Sequence, residues 1–371
     1  MKKKLLAASI ATLFAGVAHA QTSVTLYGIA DGNVRFDHTA IGTLKSVGSG
    51  GESGSRWGLR GTEDLGNGIR ANFVFEQGVD LSDNSVPQGD VAATTSGNAA
   101  SSTGGRMFSR TATVGIGSAA AGDLRVGRAY TPFYNLWSAL DVMGAGLAGG
   151  AQNYIALGVG TRFDNAIYYD SPKVYGLQLT GAYRLGESTT STATAAKTGN
   201  NAGNLALTYA AGPILAGYSF LSAKNAADNN TTRSQVAGLA YDFKVAKLSG
   251  LWSNVRNDTT IRIRSYGLGV SVPIQAFNLF AQVARVDNRY DVNNSALKND
   301  DSTFFGVGAN YSFSKRTDVY TSWAKFKNKN NATVRVQDAS NFGLQTIAGT
   351  TANVTPGFDP WSAQVGIRHR F

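Results

Sequence analysis

Segments of about ten residues with a strict two-residue period recur along this chain from residue 21 to its last residue. In the closing segment, WSAQVGIRHRF (361–371), apolar or aromatic side chains occupy nearly every second position. The same alternation surrounds Val24, Phe73 and Phe305. A period of two is that of a β-strand with one apolar and one polar face. Because chain ends usually fray, a terminal strand that closes on an aromatic residue predicts a sheet with no free edge.

The connections between these segments alternate in length. Short ones, such as 63–68 and 314–317, contain Gly, Asn or Ser. Long polar ones, rich in Gly, Asn, Ser and Thr, occupy 37–54, 81–105, 187–203, 288–301 and 328–360. About 16 strands can be counted. The sequence therefore predicts an all-β fold, a transmembrane antiparallel up-and-down β-barrel of about 16 strands, with turns at one rim and loops at the other.

Composition favours this barrel over a soluble protein. The chain has 44 glycines and only seven prolines, as expected for many twisted, paired strands. No apolar run beyond the N-terminus approaches the length of a membrane-spanning helix. An exported sandwich or solenoid would show the same alternation on its buried face, but it seldom has so many strands with loops that alternate so regularly in length.

The N-terminus predicts export. Residues 1–20, MKKKLLAASIATLFAGVAHA, combine three lysines, an apolar stretch and a small-x-small ending, which is the pattern of a cleaved signal peptide. We expect one barrel domain over 21–371, starting at Gln21, with a net charge of +7 once the three lysines are removed from +10. The absence of cysteine excludes disulfides. In an exported chain, the excess of basic residues favours an anionic solute or membrane surface over nucleic acid.

Six motifs spread over the whole mature chain resemble the general porins of β-proteobacteria, including neisserial and Burkholderia-type proteins. They are SVTLYGIAD (23–31), SRWGLRGTEDLGNG (55–68), DLRVGR (123–128), RFDNAIYYDSP (162–172), SKRTDVY (314–320) and GIRHRF (366–371). The resemblance implies a homotrimeric, 16-stranded porin in the outer membrane of a Gram-negative bacterium, among its lipids and lipopolysaccharide. It also implies passive diffusion of small hydrophilic solutes and inorganic ions, without a cofactor. The third long loop, residues 129–161, would fold into the lumen as a constriction.

The charged side chains suggest which ions such a pore favours. Trp57 and Leu59 occupy the outward parity of their strand, so Arg56 and Arg60 should point into the lumen. The same alternation directs inward Arg70, Arg125, Arg162, Asp31, Arg35, Glu76 and Asp164. The resemblance adds Arg128 to the constriction. We expect Asp141, the single charge in the middle of the loop, to be the acidic counterweight to these arginines. We expect a weak to moderate anion preference. A plainer interpretation of each arginine is an ion pair that braces the wall, or a place at the rim.

Two other functions are compatible with a barrel. The long loops could serve adhesion or the binding of a host or phage protein. A substrate-specific channel for sugars or organic acids is the other possibility. A sugar channel is less favoured, because the inward aromatic residues are scattered over distant strands: Tyr27, Tyr168, Phe280 and Phe304. An enzyme or a metal site is disfavoured, because the mature chain has no Cys and only His38 and His369. The GAGLAG segment at 144–149 fits a dinucleotide fingerprint but lacks the required βαβ context.

Barrel closure leads to one further expectation. If the first and last strands pair, the α-amino group of Gln21 and the carboxylate of Phe371 should approach each other. Phe371 would then lie in the aromatic girdle at the membrane interface.

Overall fold

The computed structural model describes residues 23–82, 107–155, 160–186, 199–259, 262–288, 300–330, 332, 334, 336 and 355–371. The described strands are β1 (Ser23–Thr39), β2 (Gly42–Ser49), β3 (Arg56–Gly66), β4 (Ile69–Gly78), β5 (Thr111–Ser118), β6 (Gly122–Tyr130), β7 (Arg162–Asp170), β8 (Leu177–Arg184), β9 (Ala202–Ala211), β10 (Ile214–Lys224), β11 (Thr231–Asp242), β12 (Lys247–Arg256), β13 (Arg262–Ile274), β14 (Phe277–Asn288), β15 (Ser302–Ser312), β16 (Thr317–Asn328) and β17 (Trp361–Arg370). Helix α1 (Pro132–Leu140) and a 3-10 turn (Ala151–Asn153) lie between β6 and β7. Among these residues no helix is long and apolar enough to cross a membrane.

The strands form one closed antiparallel sheet. From β3 to β17 each strand pairs with the next in the chain, and β17 pairs with β1 from Ile29↔Arg370 to His38↔Trp361. Sixteen strands form the barrel and β2 is an additional one. The predicted barrel of about 16 strands is confirmed. Closure satisfies the backbone hydrogen bonds of both edge strands, which a sheet in lipid requires.

The additional strand corrects the expectation that 37–54 is a long loop. Strand β1 continues to Thr39, and β2 folds back along its upper half. Strand β3 pairs with the lower half of β1, from Ser23↔Thr62 to Ile29↔Arg56. Residues 50–55 form the break between β2 and β3. The high Gly and Ser content of this stretch concealed a hairpin that backbone pairing with β1 stabilises.

The burial pattern is inverted relative to a soluble protein. Large apolar side chains are exposed on the outer face, as in Leu26 at 60% and Leu268 at 66%, whereas Asp31 and Ser265 on the inner face are fully buried. A polar interior with an apolar exterior is characteristic of a barrel in lipid. The predicted alternation of the strands is therefore confirmed.

The chain end completes the barrel wall. The backbone of Phe371 exchanges two hydrogen bonds with Gly28, at 3.0 and 3.1 Å. The Phe371 ring occupies the space beside Gly28, where an added Cβ would lie 2.2 Å from its Cζ. Gln21 and the predicted signal segment 1–20 lie outside the described residues, so the expected pairing of the two termini stays a prediction.

Candidate functional site

Residues 131–155, here called the internal loop, pack against the inner face of the barrel. Helix α1 begins after Thr131, whose Oγ1 accepts the Tyr134 N–H at 3.2 Å, and has Pro132 in its first turn. Its apolar side chains face strands β9 to β12. Leu136 lies over Gly217 and Leu140 over Gly238, where an added Cβ would approach their methyl groups to 2.6 and 2.7 Å.

The remainder of the internal loop uses further glycines of the inner wall. An added Cβ at each would collide with the loop: Gly267 with Tyr154, Gly269 with Val142, Gly306 with Gly149 and Gly308 with Met143. These glycines and Gly217 and Gly238, here called the glycine row, let the loop lie flat against the wall. The GAGLAG segment forms turns in this loop.

Asp141 joins the internal loop to the wall. Its carboxylate accepts the N–H groups of Met143 at 3.1 Å and Ala151 at 2.8 Å, and the Gln282 side-chain amide at 2.6 Å. Only 6% of Asp141 is exposed, and burial raises its pKa to about 6. The sequence suggested an acidic side chain facing the constriction. The structure instead places the Asp141 carboxylate inside the loop, where it binds three donors.

Three arginines, here called the basic wall, lie close together opposite α1. The Arg110 Nε is 2.7 Å from Glu76 Oε1, and the Arg56 Nε is 3.3 Å from Glu76 Oε2. Arg162, the third member, lies with its guanidinium 3.9 Å from the centre of the Tyr130 ring. Glu76 thus pairs with two of the three arginines, and the basic wall with Glu76 retains an excess of two positive charges.

Two stacked tyrosines connect the basic wall to the internal loop. The rings of Tyr130 and Tyr134 are parallel within 7°, with centroids 4.2 Å apart. Arg110 donates to the Tyr130 hydroxyl at 2.7 Å. Arg162 is 9% exposed, and its Nε and Nη2 have no hydrogen-bond partner among the described residues. A buried guanidinium with open donors creates a positive potential that the ring face stabilises only in part.

Arg128 enters the same region because β6 contains a bulge. The register with β7 shifts between Gly127 and Ala129, and Gly127 has a φ of +124°. The extra residue reverses the parity of the strand, so that Arg128 pairs with Asp164 and its Nε donates to the Ser109 carbonyl at 2.6 Å. This explains why plain two-residue alternation assigned Arg128 to the same face as its apolar neighbours.

Three carboxylates, here called the acidic niche, lie on the part of the wall next to the basic wall: Asp31 on β1, Glu52 in the break between β2 and β3, and Asp318 on β16. Asp31 accepts the N–H groups of Gly51, Glu52 and Ser53 at 2.7 to 3.1 Å, which turns residues 50–55 inward. Glu52 is 2.9 Å and Asp318 3.0 Å from the Arg368 Nη2. Burial raises the pKa of Glu52 to about 7, an effect that Arg368 opposes and Asp318 adds to.

The basic wall, the acidic niche and the internal loop surround one cavity of about 320 Å³. Its charged lining consists of Arg56, Arg110, Arg368 and Glu52. The loop contributes Tyr134, Ser138 and residues 142–145. Three cations against one carboxylate of raised pKa give this narrow zone a positive balance.

The other predicted lumenal residues lie in a second layer nearer the short turns. Arg60, Arg70 and Arg125 line a space of about 350 Å³. Arg70 pairs with Asp123 at 2.6 Å, and Arg125 pairs with Asp170. Arg60 instead lies over the Tyr27 ring, 5.3 Å from its centroid. The structure thus brings Arg56, Arg162 and Glu76 together and keeps these three arginines apart from them.

Arg35 belongs to neither layer. It is 5% exposed, and its Nε is 2.8 Å from Asp37 Oδ1 on the same strand.

Sequence reasoning missed several residues of the site, among them Arg110, Glu52, Tyr130 and Arg368. Arg110 precedes β5 after a turn in which Phe108 has a φ of +59°, so strand parity did not apply to it. Glu52 lies in the break between β2 and β3, within a stretch interpreted as an external loop. Tyr130 follows the β6 bulge. The sequence Gly-Glu-Ser-Gly at 51–54 could have indicated a turn there, and thus an inward position for Glu52. Among the described residues, no cluster of three or more His, Cys, Asp or Glu is arranged to hold a metal ion.

The chain is similar to known proteins over its whole length. The family model described as Gram-negative porin matches residues 7–331. An outer membrane porin protein of Bordetella pertussis is 30% identical and outer membrane porin protein 32 of Delftia acidovorans 33% identical, each alignment covering 100% of both chains. The solved structure of an anion-selective porin from Comamonas acidovorans has a TM-score of 0.74 at 29% identity, covering 95% of this chain and 100% of that one.

Proposed function

This chain belongs to the Gram-negative porin family and forms a passive diffusion channel in the bacterial outer membrane, and we propose that its constriction favours small anions over small cations. The observation that carries the proposal is the charge balance of the cavity. Arg56, Arg110 and Arg368 line it with Glu52 as the single carboxylate. The similar Comamonas porin is named as anion-selective, which supports the same direction.

The position of the charges makes this balance effective. The cavity lies between a loop with many apolar residues and a protein wall, so solvent screens its field less than it would screen charges in open water. Arg162 adds positive potential from behind Tyr130, since two of its donors have no partner among the described residues. An anion in the cavity would approach guanidinium groups that carry excess charge, whereas a cation would meet Glu52, which Arg368 already neutralises in part.

Reversal-potential measurements on the purified channel in a planar bilayer test this proposal. With potassium chloride at unequal concentrations on the two sides, we expect the sign that chloride permeation produces. The preference should weaken at high salt, because the Debye length falls from about 10 Å at 0.1 M to about 3 Å at 1 M. A potential of the opposite sign at neutral pH would reject an anion preference. The absence of any ohmic current would instead contradict the channel itself.

We propose that three copies assemble into a homotrimer, which native mass spectrometry in detergent measures directly. We also propose that the chain has no enzymatic role, since the relatives are named as porins. The alternative role in adhesion depends on long loops that lie mostly outside the described residues.

A further inference from the structure

The second layer of the lumen contains a row of neutral polar side chains among its arginines. Ser23, Thr62 and Asn72 lie directly opposite one another on β1, β3 and β4. They share the inner face, since Val24, the residue after Ser23, is 59% exposed on the outer face. These three residues are here called the polar row, and the space of about 350 Å³ that they help to line is called the turn-side cavity.

Two arginines flank the polar row on the strands that carry it. Arg60 is two residues from Thr62 along β3, on the side of the loops, and lies opposite Thr25. Arg70 is two residues from Asn72 along β4, on the side of the short turn. Two residues of a strand span about 7 Å, so a small solute on the polar row has a guanidinium group on either side.

A glycine brings a third arginine to the polar row. Gly115 on β5 lies between Asn72 on β4 and Arg125 on β6. An added Cβ at Gly115 would lie 2.6 Å from Arg125 Cγ and 3.0 Å from Asn72 Oδ1. Because Gly115 has no side chain, its two neighbours meet above it. The turn-side cavity therefore combines three guanidinium groups with hydroxyl and amide groups.

Most hydrogen-bond donors of the turn-side cavity are not used within the protein. In the described part of the chain, the side chains of the polar row and of Arg60 form no hydrogen bond or ion pair. Arg70 pairs with Asp123 at 2.6 Å and Arg125 pairs with Asp170, each through Nη2 alone. A guanidinium group has three nitrogen atoms, so both of these arginines also retain donors for a solute.

The turn-side cavity keeps one positive charge. Its three arginines face two carboxylates, those of Asp123 and Asp170. Asp64 lies opposite Arg70 but outside the lining, and its Oδ1 accepts the Gly66 N–H at 2.9 Å. The uncompensated cation is Arg60, which lies over the Tyr27 ring.

An oxyanion suits this arrangement better than a spherical anion. A phosphate group presents several oxygen atoms in different directions, and each can accept hydrogen bonds from guanidinium, hydroxyl or amide groups. Arginine binds phosphate through two parallel N–H···O bonds, which a single-atom ion cannot form. Chloride gains mainly from the positive charge, whereas a phosphate group also gains from the neutral donors.

We propose that the turn-side cavity is a binding site for phosphate groups, carried by inorganic phosphate or by a small phosphorylated solute. Arg60 supplies the uncompensated charge, and the polar row supplies the neutral donors. The short turns of a bacterial barrel face the periplasm, so the site lies at the periplasmic mouth. Arg60 is four residues from Arg56 along β3, or about 13 Å, and its phosphate affinity does not depend on the chloride preference of the constriction.

Phosphate block of the chloride current in a planar bilayer tests the site. At fixed ionic strength, inorganic phosphate on the side of the short turns should lower the single-channel conductance in a saturable way. We expect R60Q to bind phosphate about tenfold more weakly, because its charge-assisted contacts are lost. T62V removes one hydroxyl without a change of charge and should weaken binding about threefold. T62V also tests the site independently of the assembly of R60Q.

The matched control is K247Q. Lys247 begins β12 at the same rim, on the other side of the barrel. It shares the inner face with Ser249 and Ser253, which are 7% and 0% exposed. K247Q removes one lumenal cation far from the polar row and should retain the phosphate affinity of the unmodified channel.

Two further probes identify the source of the phosphate group. Inorganic phosphate and glucose 6-phosphate should both block the current and both lose affinity in R60Q, whereas neutral glucose should not block at the same concentration. Tighter binding of the sugar phosphate indicates a phosphorylated solute, and tighter binding of inorganic phosphate indicates the free ion. The reversal potential in potassium chloride, measured on the same channels, reports separately on the constriction.

Three results would overturn the proposal. Equal losses in R60Q and K247Q would mean that phosphate responds only to the overall charge of the lumen. A block that persists in R60Q but disappears in R56Q/R110Q would place the phosphate in the constriction. An unchanged affinity in T62V would mean that the cavity attracts anions by charge alone.

Discussion

The basic wall and the acidic niche each contain three like charges, yet they use them differently. On the basic wall, Arg56 and Arg110 share the carboxylate of Glu76, and Arg162 lies against the Tyr130 ring without an acidic partner of its own among the described residues. In the acidic niche, Arg368 pairs with Glu52 and Asp318, and Arg370 also pairs with Asp318. The wall therefore keeps an excess of two positive charges, whereas the niche keeps an excess of one negative charge.

The two regions also differ in what holds their charges. Arg56 and Arg162 begin strands whose positions the barrel fixes. Glu52 lies in a turn that forms because Asp31 accepts three of its backbone N–H groups. Most of the carboxylate capacity of the niche thus stabilises a fold, whereas the basic wall keeps a positive charge that Glu76 does not compensate and that acts on ions in the cavity through its field. The selectivity of a pore depends on the charges left without full compensation rather than on the number of charged residues.

Removing the excess charge of the basic wall should change the anion-to-cation permeability ratio more than any other substitution considered below. In R56Q/R110Q the wall loses two cations, so that Arg162 and Glu76 balance each other. We expect the anion-to-cation permeability ratio to fall about tenfold, which corresponds to about 1.4 kcal/mol. Reversal potentials across a salt gradient measure this ratio.

The matched control for this variant lies in the second layer. R60Q/R70Q removes the same charge from the lumen, away from the internal loop, and should change the ratio less. Equal changes in both double variants would show that total lumenal charge, and not the constriction, determines selectivity. E76Q should move the ratio in the opposite direction.

Protonation of the acidic niche should change the permeability ratio less than the loss of two arginines from the basic wall. The raised pKa of Glu52, about 7, means that this carboxylate is neutral below that pH and charged above it. As the pH falls through about 7, the cavity loses its negative charge and the anion preference should increase. E52Q should show the higher preference already at alkaline pH and should lose the titration step, measured by reversal potentials over a pH series. A step that persists in E52Q would assign it to another group.

Loosening the internal loop should alter current noise more than selectivity. D141N replaces one carboxylate oxygen with an NH2 group that cannot accept, so that either the Met143 N–H or the Ala151 N–H loses its acceptor, while the remaining amide oxygen can accept the other. An unmatched buried donor costs about 1–3 kcal/mol, so the loop should become more mobile. Single-channel recordings should show larger current fluctuations with a smaller shift in the permeability ratio than in E52Q. A shift as large as that in R56Q/R110Q would return Asp141 to the electrostatic role first expected from the sequence.

A change at the barrel seam should leave selectivity unaltered. In Gly28→Ala the new Cβ would lie 2.2 Å from the Phe371 ring, and such overpacking costs about 1–3 kcal/mol. The urea midpoint of unfolding should fall, and Gly28→Ala/Phe371→Ala should recover part of the loss because the ring is removed. A changed permeability ratio in the folded channel would mean that selectivity responds to any distortion of the wall.

The strands were predictable because a barrel in lipid imposes a two-residue period on every segment. The sequence located the lumenal side of Arg56, Glu76 and Asp31 for this reason. Two-residue alternation did not predict the direction of the Arg128 side chain, because the β6 bulge adds a residue before it pairs with β7. It also failed in irregular segments, where Arg110 and Glu52 owe their positions to backbone turns. The environment of Asp141 was not predictable, since it depends on Gln282, which is 141 residues away.

The glycine row has a consequence for the bore of the channel. The loop lies close to the wall because those positions have no side chains, so their size determines how far it projects into the water-filled path. Alanine or serine there would push the loop inward and narrow the passage, while the arginines opposite would keep their places. The width of the passage and its charge thus depend on different parts of the barrel wall. In a nanopore built on this scaffold, the width can be changed without changing the charge.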